Sequence, residues 1–313
     1  PSSTYHVVEG MFIDFYLRRN RSRSVNGQYS FFEIGAPYGL FTAPSPPCTG
    51  SVQVDHVDID VPGARFTSAQ GVNNQGDAVG YYMDQQNSLH GFKWRNGQLW
   101  TMNYPGSVGT VPSKINDSGD VVGYFYDLNG LPHGFVYHKG RWSQIDFPGS
   151  TDTQALGINS AGDIVGVYDS TQPVTHGFTL RNGRFARVDT VFGSQSALTG
   201  INDMGQQTGF AWDDGVNGPY LGVVGRSDRF STLNMPTAPF TLLYGLNNNG
   251  MIVGLFNGST EIFSGGLVQI FGNLHVTRAG LYPNMYTFAN NDSNQVAGQV
   301  YDFTKSRWVG FVG

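Results

Sequence analysis

The sequence predicts an all-β fold, a six-bladed β-propeller built from four-stranded blades. Three observations lead there. Degenerate copies of one decapeptide, GINSAGDIVG at Gly157–Gly166, recur along most of the chain, starting at Gly71, Lys114, Gly200, Gly245 and Ala289. The Asn that opens each turn (Asn73, Asn116, Asn159, Asn202, Asn247, Asn291) steps by 43, 43, 43, 45 and 44 residues, an interval that belongs to repeat architectures. Between the copies, apolar or aromatic residues alternate with small or polar ones under frequent Gly, Asn, Asp and Pro, and no stretch sustains a helical period. A unit this short cannot bury both of its faces alone, whereas a ring of such units can.

Taken in order, residues 1–53 stand outside the six-unit count. Met11–Tyr16 and Gln28–Ile34 read as two additional strands, Asn26-Gly27 as a hairpin turn and Ala43–Cys48 as a Pro-rich loop. They are expected to form an N-terminal extension, as extra strands or a cap, with residues 54–313 making the propeller. The final strand, Trp308–Val312, has the character of a blade's fourth strand. Where its blade lacks a partner, Val54–Asp60 can supply one, so the ring is expected to close by pairing N-terminal and C-terminal strands.

The third unit shows the internal order most clearly. Arg141–Phe147 is a strand ended by Pro148-Gly149, and Thr153–Ile158 is a second that runs into the turn Asn159–Gly162. Asp163–Tyr168 is the third and His176–Leu180 the fourth, closed by Asn182-Gly183. The Gly of each N-x-x-G turn supplies the positive φ that a tight connection demands, and its replacement in the sixth copy, Asn294, is the next-best occupant of that region.

Composition narrows the partners. The chain has 313 residues, a net charge of -5 and 13% charged residues, and its only basic run is Arg18–Arg23, which disfavours nucleic acid. A single cysteine, Cys48, excludes an internal disulfide and a multi-cysteine metal site. No apolar run reaches the ~18 residues of a membrane span. The chain begins at Pro1 without Met, so a secreted or secretory-pathway protein whose signal has been removed is expected; its four N-x-S sequons (Asn20, Asn116, Asn257, Asn291) are close to the roughly three that chance supplies and add little. No phosphate loop, G-x-S-x-G or H-E-x-x-H is present, and no cofactor or metal is expected.

The order G-I-N-x-x-G-D-I-V-G, then H-G-F, then I-D-x-P-G resembles the HAF-type repeats of extracellular proteins. It is carried by Gly157–Gly166 with His176-Gly177-Phe178, Lys114–Gly123 with His133-Gly134-Phe135, and Gly71–Gly80 with His90-Gly91-Phe92. The resemblance spans about residues 57–313 and implies an extracellular β-propeller, while leaving the activity open. In the later copies, Leu221-Gly222-Val223 and Val309-Gly310-Phe311 lack the His. The repeated His and the Asp that opens a loop in nearly every unit (Asp84, Asp127, Asp169, Asp213, Asp302) are read as blade-edge hydrogen bonding. Equivalent positions on separate blades do not converge as a metal requires.

Candidate site residues lie where the repeat breaks. The connection from Ile270 to Asn291 takes 21 residues where the third unit takes 14, and it carries His275, Arg278, Tyr282, Met285, Tyr286 and Phe288. The preceding stretch, Asn247 to Ile270, is shortened, and both changes are expected on one face of neighbouring blades. Lys114 replaces the Gly or Ala of the other copies on the innermost strand, where a cation must be solvated, paired in an ion pair, or set to polarise a carbonyl or hold an anion.

Two functions compete on these residues. In the first, the protein is a cofactor-independent enzyme acting on a small, largely apolar molecule in one pocket, by an isomerase, lyase or pericyclase reaction such as a hetero-Diels-Alder cycloaddition. Lys114, His275, Arg278 and Tyr286 would then stabilise developing negative charge, and Tyr282, Met285, Phe288, Trp212, Tyr244 and Trp308 would hold the substrate. In the alternative, it is a secreted, lectin-like glycan binder with several similar sites, on which Trp212 and Trp308 stack sugars. Trp100 and Trp142 occupy an ordinary aromatic strand position of the repeat and are expected to pack in the core.

Overall fold

The computed structural model describes residues 56–313 apart from 171–173, 214–219, 228, 234–239, 258–261 and 270–284, and for 240, 255–257, 262–269 and 285 it describes the backbone alone. The extension at 1–53 lies outside the described residues.

Strand β1 (Val57–Ile59) precedes six antiparallel units. Blade 1 is β2 (Phe66–Val72), β3 (Ala78–Met83), β4 (Leu89–Arg95) and β5 (Gln98–Thr101). Blade 2 is β6 (Gly109–Ile115), β7 (Val121–Tyr126), β8 (Pro132–His138) and β9 (Arg141–Ile145). Blade 3 is β10 (Asp152–Ile158), β11 (Ile164–Asp169), β12 (Thr175–Arg181) and β13 (Arg184–Val188). Blade 4 is β14 (Gln195–Ile201), β15 (Gln207–Trp212), β16 (Leu221–Arg226) and β17 (Arg229–Thr232). Blade 5 shows three strands among the described residues, β18 (Phe240–Leu246), β19 (Met251–Asn257) and β20 (Ile262–Gln269). Blade 6 is β21 (Met285–Asn290), β22 (Val296–Asp302) and β23 (Arg307–Val312), with β1 as its outer strand.

The expected closure is therefore present. Val57 pairs with Val312 and Ile59 with Gly310, antiparallel, so the start of the propeller completes its last blade. Trp308–Val312 takes the place expected of it, that of His176–Leu180 in the third unit, and β1 completes the blade outside it.

The core is divided among the seams between blades. Val79 of blade 1 packs with Val121 and Phe135 of blade 2, Val122 with Ala155 and Phe178 of blade 3, and Val165 with Leu198 and Ile201 of blade 4. Blades 5 and 6 meet through Val253, Val296 and Phe311, and the ring closes where Ala69 and Phe92 meet Ala289, Ala297 and Val312. The Phe of each H-G-F is thus a seam residue. Phe92, Phe135, Phe178 and Phe311 are all 0% exposed, and truncating one such side chain costs about 3–5 kcal/mol.

The repeated Asn does two jobs. Its Oδ1 accepts the backbone N–H four residues on, as in Asp77 N–H to Asn73 and Asp163 N–H to Asn159, which shapes the turn. Its Nδ2 donates to the backbone carbonyl of the equivalent Asn in the next blade: Asn73 to Asn116, Asn116 to Asn159, Asn159 to Asn202, Asn202 to Asn247, Asn247 to Asn291 and Asn291 to Asn73. A short side chain with both a donor and an acceptor is needed for this, and Asn is one. The turn position three residues after the repeat Asn has positive φ in all six copies, from 73° at Gly205 to 82° at Gly119 among the glycines, with Asn294 at 63°.

Candidate functional site

Six inner strands surround the axis, and each carries a register shift, between Pro112 and Lys114 in β6 and between Ala155 and Gly157 in β10, for example. The extra residue re-aims its neighbour. The shifts bring Lys114, Gly157, Gly200, Gly245 and Ala289 to a chamber of about 60 Å³ on the axis. Glycine is required where strands approach most closely: a Cβ on Gly157 would sit 3.2 Å from the Gly200 Cα.

Among the described residues, Lys114 is the one charged residue lining that chamber. Its Nζ donates to the backbone carbonyls of Gln70 (2.8 Å) in blade 1 and Phe288 (2.7 Å) in blade 6. The ion pair anticipated as one option is not formed among the described residues; two carbonyls take its place. Enclosure by the ring lowers the amine from its ordinary 10.5 to about 7. The side chain is only half-buried by accessible surface, because the water-sized channel still reaches it.

The other sequence-predicted site residues divide into two groups. Tyr244, Tyr286 and Phe288 lie on inner strands at 2%, 7% and 4% exposure, with the Tyr244 and Phe288 rings 5.5 Å apart. The Tyr286 ring lies 5.0 Å from half-buried Trp308. Burial raises the Tyr286 phenol to about 12 and pushes Tyr244 still higher, Tyr286 adding to the effect. Lys114 thus meets Phe288 only through its backbone carbonyl, while Tyr244 with Phe288 and Tyr286 with Trp308 form aromatic pairs that do not line the axial chamber. Trp212 is apart from them, 6% exposed in blade 4 and stacked on Tyr220 at 5.8 Å. His275, Arg278 and Tyr282 lie outside the described residues, as does the Met285 side chain. The expected pairing of a long with a shortened loop falls on the same undescribed segments.

Trp100 departs from expectation. It is 48% exposed on the outer strand β5, whereas Trp142 packs on Phe135 at 5.0 Å as anticipated.

At the end of the ring where inner strands begin, the H-G-F histidines form a recurring polar set. His90 Nε2 lies 3.0 Å from Asp84 Oδ2, and its Nδ1 meets Asn103 Nδ2 at 3.0 Å. His133 Nδ1 lies 3.0 Å from Asp146 Oδ2, which also accepts from Gln144. His176 Nδ1 lies 2.9 Å from Asp189 Oδ1, whose other oxygen accepts from Arg187 Nε at 2.5 Å. Each imidazole lies against an aromatic ring, Tyr82, Phe125 or Tyr168, at 5.1–5.4 Å. The sets stay on separate blades, and no cluster of three metal-ligating side chains occurs among the described residues.

Sequence reasoning missed the opposite mouth. The residues following the repeat Asn alternate amide or hydroxyl with carboxylate: Asn74, Asp117, Ser160, Asp203, Asn248, Asp292. They rim a depression of about 80 Å³ and bond one another, Asn74 N–H to Asp117 (2.8 Å), Ser160 N–H to Asp203 (2.8 Å) and Asn248 N–H to Asp292 (2.7 Å). The alternation was visible in the copies, but its meaning needs the blades side by side.

No family model and no curated protein matches the chain, so the HAF-type label rests on its motif residues alone. Solved structures do match. The SapL1 lectin in complex with α-methyl fucoside has a TM-score of 0.53 at 9% identity, covering 80% of this chain and 93% of its own. AofleA from Arthrobotrys oligospora has a TM-score of 0.51 at 12% identity, covering 80% and 83%. The likeness is one of fold. Together with the six blades traced above, it identifies the architecture as a six-bladed β-propeller.

Proposed function

We propose that this protein is a glycan-binding propeller acting outside the cell, with separate sites on successive blades. The observation that carries the reading is the recurrence of the histidine, carboxylate and amide or guanidinium set at one end of blades 1, 2 and 3. Sugar hydroxyls both donate and accept, and a rigid imidazole–carboxylate pair offers both functions at fixed spacing. Half-exposed His90 and His133 leave part of each set open to solvent. Similar weak sites on one rigid ring gain strength on a multivalent surface, since each later contact is intramolecular. The fucoside-bound relative of the same fold and the exposed Trp100 ring support the same reading.

The test is native mass spectrometry of the full chain with a glycan panel and a panel of small apolar molecules. Several weakly held sugars per chain, reduced in number by His133→Ala, are expected. One tightly held apolar molecule with no sugar would overturn this reading. It would favour a single cofactor-free catalytic pocket using Lys114 with Tyr286 and the 270–288 connection, a second reading supported by the near-neutral Lys114 amine on the axis.

A further inference from the structure

Blades 1, 2 and 3 share a charge pair at the end of the ring where inner strands finish. The residue before the second strand is Asp77, Asp120 or Asp163, and the residue ending the third strand is Arg95, His138 or Arg181. Arg95 grips Asp77 through both carboxylate oxygens, with Lys93 Nζ 3.3 Å away. His138 Nδ1 lies 2.6 Å from Asp120, and Arg181 Nε 3.0 Å from Asp163.

Blade 4 breaks the pattern. The pairing of Gln207 with Gly225 matches that of Ile164 with Leu180, which puts Gln206 at the carboxylate position and Arg226 at the cation position. Gln206 Oε1 is engaged by Asn202 Nδ2 at 2.8 Å, and exposed Arg226 has no carboxylate in reach among the described residues. Arg181 of blade 3 leans over the same turn. Its Nη2 would be 3.1 Å, and the Arg226 Nε 3.7 Å, from a Cβ built on Gly205. Gly205 has a positive φ, 73°, which disfavours any side chain at this position.

Two guanidinium groups from neighbouring blades thus crowd the same glycine, each with a nitrogen within 4 Å of its Cβ position. The Arg181 Nε contact with Asp163 is close but misaligned for a hydrogen bond, and the Nη groups remain. Exposed Arg184 and Arg229 pair in register with Arg181 and Arg226, adding two more positive charges. Asp203 of the same turn accepts from Ser160 and Asn248, and Asp228 lies outside the described residues. Like charges at this spacing repel, and planar forks match the oxygens of carboxylate, sulfate and phosphate.

We propose that the cleft between blades 3 and 4, bounded by Arg181, Gly205 and Arg226, binds an oxyanion. On the glycan reading, on which the identity of the carrier rests, that oxyanion is the sulfate or carboxylate group of an acidic sugar. The site itself needs only the anion.

The test is titration of the full chain with inorganic sulfate, followed by the Arg Nε–H resonances. It is repeated with a sulfated, a carboxylated and a neutral oligosaccharide of one backbone. Saturable shifts are expected for wild type, and an affinity about tenfold weaker for Arg226→Gln and for Gln206→Asp, which gives Arg226 the carboxylate its counterparts have. Arg141→Gln, an exposed cation on blade 2, should bind as wild type. Absence of saturation, unchanged binding by Gln206→Asp, or an equal loss in Arg141→Gln would each overturn the site. Binding of neutral sugar without sulfate binding would remove this cleft and leave the glycan reading standing. Sulfate binding without any sugar would do the reverse.

Discussion

The side-chain amide of Asn291 donates to the backbone carbonyl of Asn73 at 2.9 Å, across 218 positions of chain. It is the last of six equivalent links, and the only one joining the end of the repeat array to its beginning. The same seam holds the β1–β23 pairing and the cluster of Ala69, Phe92, Ala289 and Val312. Closure therefore rests on hydrogen bonds and apolar contact together, in a protein with one cysteine.

Asn291→Ala should remove this link and the turn bonds that Oδ1 accepts from Ser293 and Gln295. A loss of about 2–3 kcal/mol is expected, or roughly 4–10 °C in melting temperature for a domain of this size. Asn159→Ala, inside the array, should cost a similar amount. If Asn291→Ala melts like wild type while Asn159→Ala does not, the ring is open at this seam in solution.

Lys114 makes stability depend on pH in a direction that can be worked out. Its amine titrates near 7 in the fold and at the ordinary 10.5 when unfolded. The cost of holding it charged is fully present below pH 7 and is relieved as pH rises from 7 to 10.5, because only the unfolded state binds the proton in that window. Relative to Lys114→Met, wild type should gain about 2–4 kcal/mol between pH 7 and 10, less than the full shift implies because channel water screens the group. Melting curves of both proteins across this range check it. Parallel pH profiles would mean that the amine is solvated.

Much of this fold could be read from the chain because propeller signals are local. The Asn spacing gave the blade count, and the strand character of Val54–Asp60 made it the candidate to complete a last blade short of a partner, which Val57–Ile59 does. What could not be read is lateral. Asn159 announces a turn in sequence, but its bond to the Asn202 carbonyl exists only once blades stand side by side. Lys114 was identified as an exception on an inner strand, yet no local pattern says that carbonyls of Gln70 and Phe288 would receive it. Gln206 stood in plain view where Asp77, Asp120 and Asp163 recur. Its significance depends on Arg226, 20 residues later, through a register that the longer blade-4 loop obscures.

The same comparison of copies singles out Gln207 and Thr208. The equivalent pairs are Ala78-Val79, Val121-Val122, Ile164-Val165, Ile252-Val253 and Val296-Ala297, all apolar. Gln207 is 0% exposed, and among the described residues neither its Oε1 nor its Nε2 has a hydrogen-bond partner; the Thr208 hydroxyl has none there either. A buried polar group left unpaired costs about 1–3 kcal/mol, and the apolar replacement recovers it if the shape is kept. Gln207→Ile should therefore raise stability by about 1–3 kcal/mol, and Thr208→Val, nearly isosteric, by a smaller amount. Thermal melts of the two single variants decide it. A lower melting temperature for Gln207→Ile would mean that the amide is hydrogen-bonded in solution, by water held in the seam, and that blade 4 keeps a polar core for a reason its neighbours do not share.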